Sequence, residues 1–271
     1  MNLVLLLSWY EESPAWLATV VAGYGRMVDH VVAVDGAYAF FPQGKPRSHP
    51  EQAEAIMQTA EAAGIGCTIH RPNFLWDGNE VHKRNMTLKL AAAHDPDWVM
   101  VADGDYHVTN CDPPTVRGML EVTDLNVATY TLVDQQDPLA QPEFAAAAIQ
   151  SQIETEWRDE IRDIYRWTPD LQYGPAHYTI SGTYGGKKRW VKGFGTKGHV
   201  APDYKGRIAD PCLDLRGSLV VVHRNRARPL LRQEAAKRYY AARDDEAIED
   251  VTELYKAEDE AAEAERAAAA G

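Results

Sequence analysis

The chain has 271 residues, 45% of them hydrophobic and 25% charged, the composition of an ordinary globular protein. No apolar run reaches the roughly 18 residues that a membrane-spanning helix needs. The opening Met1-Asn2-Leu3-Val4-Leu5-Leu6-Leu7-Ser8-Trp9 lacks a basic leader and runs straight into Glu11-Glu12, so it reads as a core strand and not as a signal peptide. Cys67, Cys111 and Cys212 are odd in number and far apart, which argues against a zinc site or a disulfide framework. The expected setting is a reducing cytoplasm, that of a bacterium or of a phage-infected host.

The net charge of −12 is unevenly spread. Residues 1–176 carry 11 Lys and Arg against 25 Asp and Glu, residues 177–243 carry 15 against 4, and residues 244–271 carry 2 against 11. A basic island therefore sits inside an acidic protein. The overall acidity disfavours non-specific nucleic-acid binding, while a local basic face still suits an anionic partner.

In chain order, Leu3–Leu7 is a strand, and Ser13-Pro14 opens a helix as N-cap and first residue. Trp16, Leu17, Val20, Val21 and Tyr24 form the apolar face of that helix, and Gly23 and Gly25 close it. His30–Val34 is the next strand and ends at Asp35-Gly36. Ser48-His49-Pro50-Glu51 has capping-box spacing for a helix with Ala53, Ile56, Met57 and Ala60 on its apolar face. Strand Cys67–His70 follows, then a helix over 80–93 and a short buried strand over 98–102 after the Asp95-Pro96 turn. Alternating strands and helices predict an α/β fold with a mostly parallel central sheet flanked by helices.

The second half is less regular. Asp112-Pro113 caps a helix to Glu121, and Val127–Val133 is a strand. Residues 141–167, Ala-rich and then Glu/Arg-rich, read as helical or as a partly mobile excursion. Arg189–Val191 and Ser218–His223 are strands, and Pro229 starts a helix through Ala242. The expected organisation is one domain over 1–243, with a ligand-binding half over 1–133 and a second half over 134–243. An acidic, alanine-rich helical tail follows over 244–271.

In open α/β sheets, ligands bind where strands end at their carboxyl side. Polar groups stand at four such ends: Ser8 to Glu12, Asp35, Asp103-Gly104-Asp105, and His223. Two carboxylates spaced i, i+2 at a strand end aim to one side of the sheet and suit a hard divalent cation, which in turn suits a diphosphate. On the helix before that strand, Lys83 reads as a solvated cation. Arg84 and Asn85 lie beside it, and a guanidinium suits bidentate phosphate contact.

The run Lys83-Arg84-Asn85, then Asp97-Trp98-Val99-Met100-Val101-Ala102-Asp103-Gly104-Asp105, resembles the GT-A glycosyltransferases, family 2-like, in which an R-N helix precedes a D-W-hydrophobic-D-x-D strand. Val220-Val221-Val222-His223 followed by Lys237-Arg238-Tyr239-Tyr240 is similar to the closing hydrophobic-H … K-x-R-Y stretch of the same group. The resemblance spans about 3–243 and is carried by 79–106 and 218–241. It implies a Rossmann-like GT-A domain that moves a sugar from a nucleoside diphosphate-sugar, with UDP favoured, to an acceptor hydroxyl.

By the same resemblance Ser8, Glu11, Asp35, Arg84, Asn85, Asp103 and Gly104 would bind the nucleotide-sugar. Asp105, Asp103 and His223 would hold Mn2+ or Mg2+. Relatives carry a G-x-x-H-E segment with the catalytic base, whereas Lys197-Gly198-His199-Val200 keeps only the histidine. Asp203, Asp210, Asp214, His199 and His177 are the remaining base candidates. Lys187, Lys188, Arg189, Trp190 and His177 would face the acceptor, left open among a glycan, a protein and modified DNA.

Basic residues interleaved with Tyr184, Phe194 and Tyr204 also fit a phage-type transferase acting on a hydroxylated DNA base. Against that stands the simpler pairing of these cations with the donor diphosphate and the acidic first half. A sugar nucleotidyltransferase ranks lower, since Ser8-Trp9-Tyr10-Glu11-Glu12-Ser13 lacks a glycine-rich phosphate loop. A non-catalytic nucleotide-sugar or DNA-binding module is the remaining reading.

Overall fold

A computed structural model describes residues 1–39, 41, 44–76, 80–134, 161–174, 180–192 and 212–224. The expected helix over 229–242 and the acidic tail lie outside these residues, as do positions 141–160 of the expected helical stretch.

The central strands form as their apolar runs predict. β1 (Leu3–Ser8) is buried along its whole length. It pairs in parallel with β2 (His30–Val34) on one side and with β4 (Trp98–Asp103) on the other. β2 pairs in turn with β3 (Gly66–His70). Alternation sends Leu3, Leu5 and Leu7 into one core cluster, with Leu17, Val20, Val21 and Ile56. Val4 and Leu6 enter a second cluster on the opposite face, with Leu88, Ala91 and Tyr165. Helices α1 (Pro14–Gly25) and α2 (Pro50–Ala62) cover the first face. Helix α3 (Glu80–Ala91) covers the second and ends in a 3-10 turn at Ala92–His94.

After β4 the chain turns at Gly104-Asp105 into β5 (Tyr106–Cys111), a strand absent from the sequence reading. Helix α4 (Pro113–Val122) follows, and the Asp112 carboxylate caps it by accepting from Thr115 N at 3.3 Å. Next come β6 (Val127–Asp134) and β7 (Ile161–Arg166). β7 overturns the expected helix over 161–166. It lies antiparallel between β4 and β6, placing Ile164 and Tyr165 in opposite cores. The Glu/Arg-rich surroundings suggest a helix, but pairing between β4 and β6 buries Asp163, Ile164 and Tyr165 in succession, on both faces of the sheet.

β8 (Gln172–Tyr173), β9 (Ile180–Tyr184) and β10 (Lys187–Lys192) form a small antiparallel sheet. β11 (Leu213–Asp214) and β12 (Leu219–His223) complete the main sheet, whose order is β3-β2-β1-β4-β7-β6-β12-β5 with β11 on β6. The fold is the expected mixed α/β architecture, a largely parallel central sheet flanked by helices. β4 pairs with β7 only over Trp98–Met100, so the carboxyl end of β4 leaves that neighbour. The Gly104-Asp105 turn then carries the chain to β12, where Tyr106 pairs with His223.

Candidate functional site

The strand ends supply the site. Ser8 is in register with Val34 and with Asp103, so the loops after β1, β2 and β4 leave the sheet side by side.

Asp35 is fully buried and engaged on every side. Its carboxylate accepts from Gly36 N at 2.7 Å, Ser48 N at 2.9 Å and Ser48 Oγ at 2.5 Å, and it pairs with Arg71 Nε at 3.1 Å. Arg71 also donates to the Ser48 carbonyl. Ser48 is therefore not the helix cap that its spacing predicted. His49 takes the N-cap position of α2 without a side-chain cap bond. The Ser48 hydroxyl instead accepts from Glu11 N at 2.8 Å, tying the β1 loop to the β2 loop. Glu11 sits at φ 47°, and its carboxylate accepts from Gln52 Nε2 at 3.3 Å. Ser8 itself is buried at the end of β1.

Helix α3 delivers three consecutive residues with different tasks. Lys83 is 2% exposed, against the expectation of a solvated cation. Its ammonium donates to the Trp9 carbonyl at 2.6 Å and the Gly36 carbonyl at 2.8 Å, and it lies 5.4 Å from the centre of the Tyr38 ring. Arg84 donates to Asp103 Oδ2 at 2.9 Å and to Glu80 Oε2 at 3.3 Å. Burial pushes the Glu80 carboxyl up, with Arg84 working against that shift. Burial also opposes the charge on Arg84, but Asp103 and Glu80 outweigh it and hold the guanidinium protonated. Asn85 clasps β8: its side chain donates to the Tyr173 carbonyl at 3.3 Å and accepts from Tyr173 N at 2.8 Å.

The acidic pair splits at the turn. Asp103 ends β4 and faces Arg84, whereas Asp105 is 1% exposed and lies against β12. Asp105 Oδ2 is 3.0 Å from His223 Nε2, and the Asp105 carbonyl accepts from Arg224 N at 2.9 Å. Gly104 allows the close approach of the β1 loop. A Cβ there would lie 2.8 Å from Glu12 Cγ and 3.2 Å from Leu17 Cδ2.

The expected divalent ion can be tested against these donors. Two ligands on adjacent vertices of an octahedron, each about 2.1 Å from the ion, stand about 3.0 Å apart. The separation of Asp105 Oδ2 and His223 Nε2 is 3.0 Å, so this pair fits as neighbouring ligands. Among the described residues no group of three or more His, Cys, Asp or Glu side chains gathers for a metal. Ions that serve diphosphates commonly take only one or two protein carboxylates and complete their shell with phosphate oxygens and water.

The other named residues lie apart from this group. Asp214 is exposed and pairs with Arg216 at 2.6 Å. It stands beside Thr129 on β6, whereas His223 stands beside Asp134. Five residue steps along a strand separate those positions by about 17 Å. Lys187, Lys188 and Arg189 are exposed on β10, the strand that also contains Trp190. His177, His199, Asp203 and Asp210 lie outside the described residues.

One carboxylate escaped the sequence reading. Asp163 on β7 is 5% exposed and accepts from Tyr165 Oη at 3.2 Å and, weakly, from Tyr130 Oη at 3.5 Å. Its charge helps raise the phenols of Tyr24 and Tyr106, after burial, together with Asp103 and Asp105. A strand reading of 161–166 would have shown it. Lys83 shares the buried stripe of α3 with Glu80, Thr87, Leu88 and Ala91, a stripe whose first three members are polar and so give no apolar periodicity.

No protein-family model and no curated protein matches the chain. Among solved structures, a mycobacterial protein is 14% identical, covering 92% of this chain and 76% of its own, with a TM-score of 0.43. Glucosyl-3-phosphoglycerate synthase from Mycobacterium tuberculosis, in complex with Mn2+, UDP and glucosyl-3-phosphoglycerate, is 15% identical over 92% of this chain and 81% of that one, with a TM-score of 0.41. TarS from S. aureus, in complex with UDP-GlcNAc, is 14% identical over 52% of this chain and 37% of that one, with a TM-score of 0.38. The chain spans only 22% to 38% of the TarS chains that it matches. Among the described residues no helix is long and apolar enough to cross a membrane.

Proposed function

We propose that this chain is a glycosyltransferase that moves a sugar from a nucleoside diphosphate-sugar, a UDP-sugar first, to an acceptor hydroxyl with the help of a divalent metal. One observation carries the reading. The carboxylates that the GT-A resemblance selects, Asp103 and Asp105, stand at one strand end, and each is matched to a partner selected by the same resemblance, Arg84 at 2.9 Å and His223 at 3.0 Å.

In this reading Asp105 and His223 hold the ion, with Asp103 beside them. The ion would neutralise charge on the departing nucleoside diphosphate. Arg84 holds the Asp103 carboxylate in place between α3 and β4 and adds positive charge where the diphosphate would lie. The β1 and β2 loops, joined through Ser48 and Lys83, form the nucleoside side of the cradle. Asp35 shapes that cradle through Arg71, Ser48 and Gly36, and its role toward the nucleoside is carried by the loop it organises.

A panel of nucleotide-sugars with Mn2+, read by thermal shift and by release of nucleoside diphosphate, tests the proposal. At least one donor should raise the melting midpoint only when metal is present. A panel with no metal-dependent shift and no donor hydrolysis would refute it.

A further inference from the structure

Lys83 reaches from α3 into the space between two loops that belong to different strands. Its ammonium donates to the carbonyl of Trp9, just past β1, and to the carbonyl of Gly36, just past β2. Neither acceptor is a side chain, so the contact depends on the path of the backbone and not on residue identity in the loops. Gly36 is held at φ 107°, where a Cβ would lie 2.6 Å from the Pro46 carbonyl, so the loop cannot readily exchange this shape for another. Tyr38, two residues further on, presents its ring to the same ammonium.

A lysine 2% exposed is costly unless its charge is compensated. Two backbone carbonyls and an aromatic face supply the compensation here. A leucine or methionine would fill the stripe of α3 without that cost, which marks the ammonium itself as the useful part.

We propose that Lys83 is a positioning residue for the donor site, holding the β1 and β2 loops at the spacing in which they receive the nucleoside. This rests on the donor reading above. Lys83 does not touch the ligand. It acts through the Trp9 and Gly36 carbonyls, and so sets the affinity for the nucleotide more than the rate of transfer.

Charged groups around Lys83 come from every neighbouring element: Glu80 and Arg84 on α3, Asp35 after β2 and Asp103 at the end of β4. Burial is the largest influence and brings its pKa down to about 8, with Asp35 and Asp103 resisting and Arg84 assisting. The ammonium is therefore mostly charged at pH 7 and loses its charge in mildly alkaline solution.

The test measures UDP affinity in the presence of Mn2+ for the wild type, Lys83→Met and Lys83→Arg, together with donor KM and kcat. Lys83→Met should weaken UDP binding about tenfold and raise donor KM in proportion, with kcat changed less than threefold. Wild-type affinity should fall as pH rises from 7 to 9.5, and Lys83→Arg should lose that dependence because a guanidinium stays charged. UDP binding equal to wild type in a folded Lys83→Met protein overturns the inference while sparing the donor reading. If Lys83→Met does not fold, a flat wild-type affinity over the same pH range overturns it. A wild type that binds no nucleotide at any pH overturns both.

Discussion

His223 Nε2 stands 3.0 Å from Asp105 Oδ2, although one residue ends β12 and the other sits in the turn before β5. The antiparallel pairing of β5 with β12 produces this meeting, because it sets Tyr106 opposite His223 and leaves Asp105 one position beyond. The same separation that makes this close polar contact would suit two adjacent ligands of the proposed ion.

Replacement of that carboxylate is the most direct prediction. Asp105→Asn keeps the shape of the turn and removes the charge. Metal-dependent thermal shift with UDP should disappear, and transfer should fall by ~100-fold or more. The shift is measured against each variant's own metal-free midpoint, so that a stability change is not mistaken for lost binding. A normal Mn2+-dependent shift in this variant would remove Asp105 from the metal site.

Arg84 bridges two acids, the nearly buried Glu80 and the partly exposed Asp103. Arg84→Met should leave Glu80 and Asp103 without their shared cation and destabilise the fold by ~3 kcal/mol. Adding Glu80→Gln to that variant should recover part of the loss, a coupling that urea denaturation of the four proteins of a double-mutant cycle would measure. Strict additivity would show that the pair is not coupled.

Asp35 distinguishes loop organisation from direct ligand contact. Its carboxylate has four polar partners and no exposed surface, so Asp35→Asn should cost ~3 kcal/mol of stability even without ligand. Were Asp35 chiefly a ligand group, the apo protein would keep its midpoint and only donor KM would rise.

A pH dependence follows from His30. Its ring stacks on His94 at 3.7 Å, bonds the Thr68 hydroxyl at 2.9 Å, and lies where a Cβ on Gly66 would collide with it at 2.0 Å. Burial first, and His94 second, bring its pKa down to about 4. The unfolded chain takes up the proton near pH 6.5, and the folded chain only near 4. The unfolded state therefore gains stability relative to the native state as pH falls through that window, and the contribution of His30 is constant above it. The ring is partly exposed, so solvent screening reduces the effect to the order of 1 kcal/mol. Urea midpoints at pH 7.5 and 5 should differ in the wild type, and the difference should shrink in His30→Leu.

Gly104 offers a test of close packing beside the carboxylates. Gly104→Ala would crowd Glu12 Cγ at 2.8 Å and Leu17 Cδ2 at 3.2 Å, so both side chains would have to shift. The expected cost is ~1–2 kcal/mol, with weaker nucleotide binding because the β1 loop is displaced. Thermal melting with and without UDP would separate the two effects.

Local pattern was enough for much of the molecule. Apolar runs with turn signals located β1, β2 and β12 to within a residue, because burial on both faces of a sheet leaves an uninterrupted hydrophobic signal. Met57, expected on the apolar face, is 47% exposed, while the buried stripe of α2 includes Gln52, which accepts from Glu12 N in the β1 loop. β7 carries a helical pattern in its sequence, since Ile161, Ile164 and Tyr165 stand at i, i+3 and i+4, and β5 is hard to separate from β4 because only two residues lie between them.

The sequence by itself determined the α/β class, the strand ends that carry polar groups, and the pairing of an Arg-Asn helix with an acidic strand end. These are local properties, written in periodicity and in residue type at fixed spacing. Only the tertiary structure decided what each group faces. It placed Asp103 against Arg84 and Asp105 against His223, closed Asp35 within Arg71 and Ser48, and buried Lys83 between two backbone carbonyls. Such partners come from distant parts of the chain: the register of the sheet sets the meeting of Asp105 with His223, and the packing of α3 and of the loops against the strand ends sets the others.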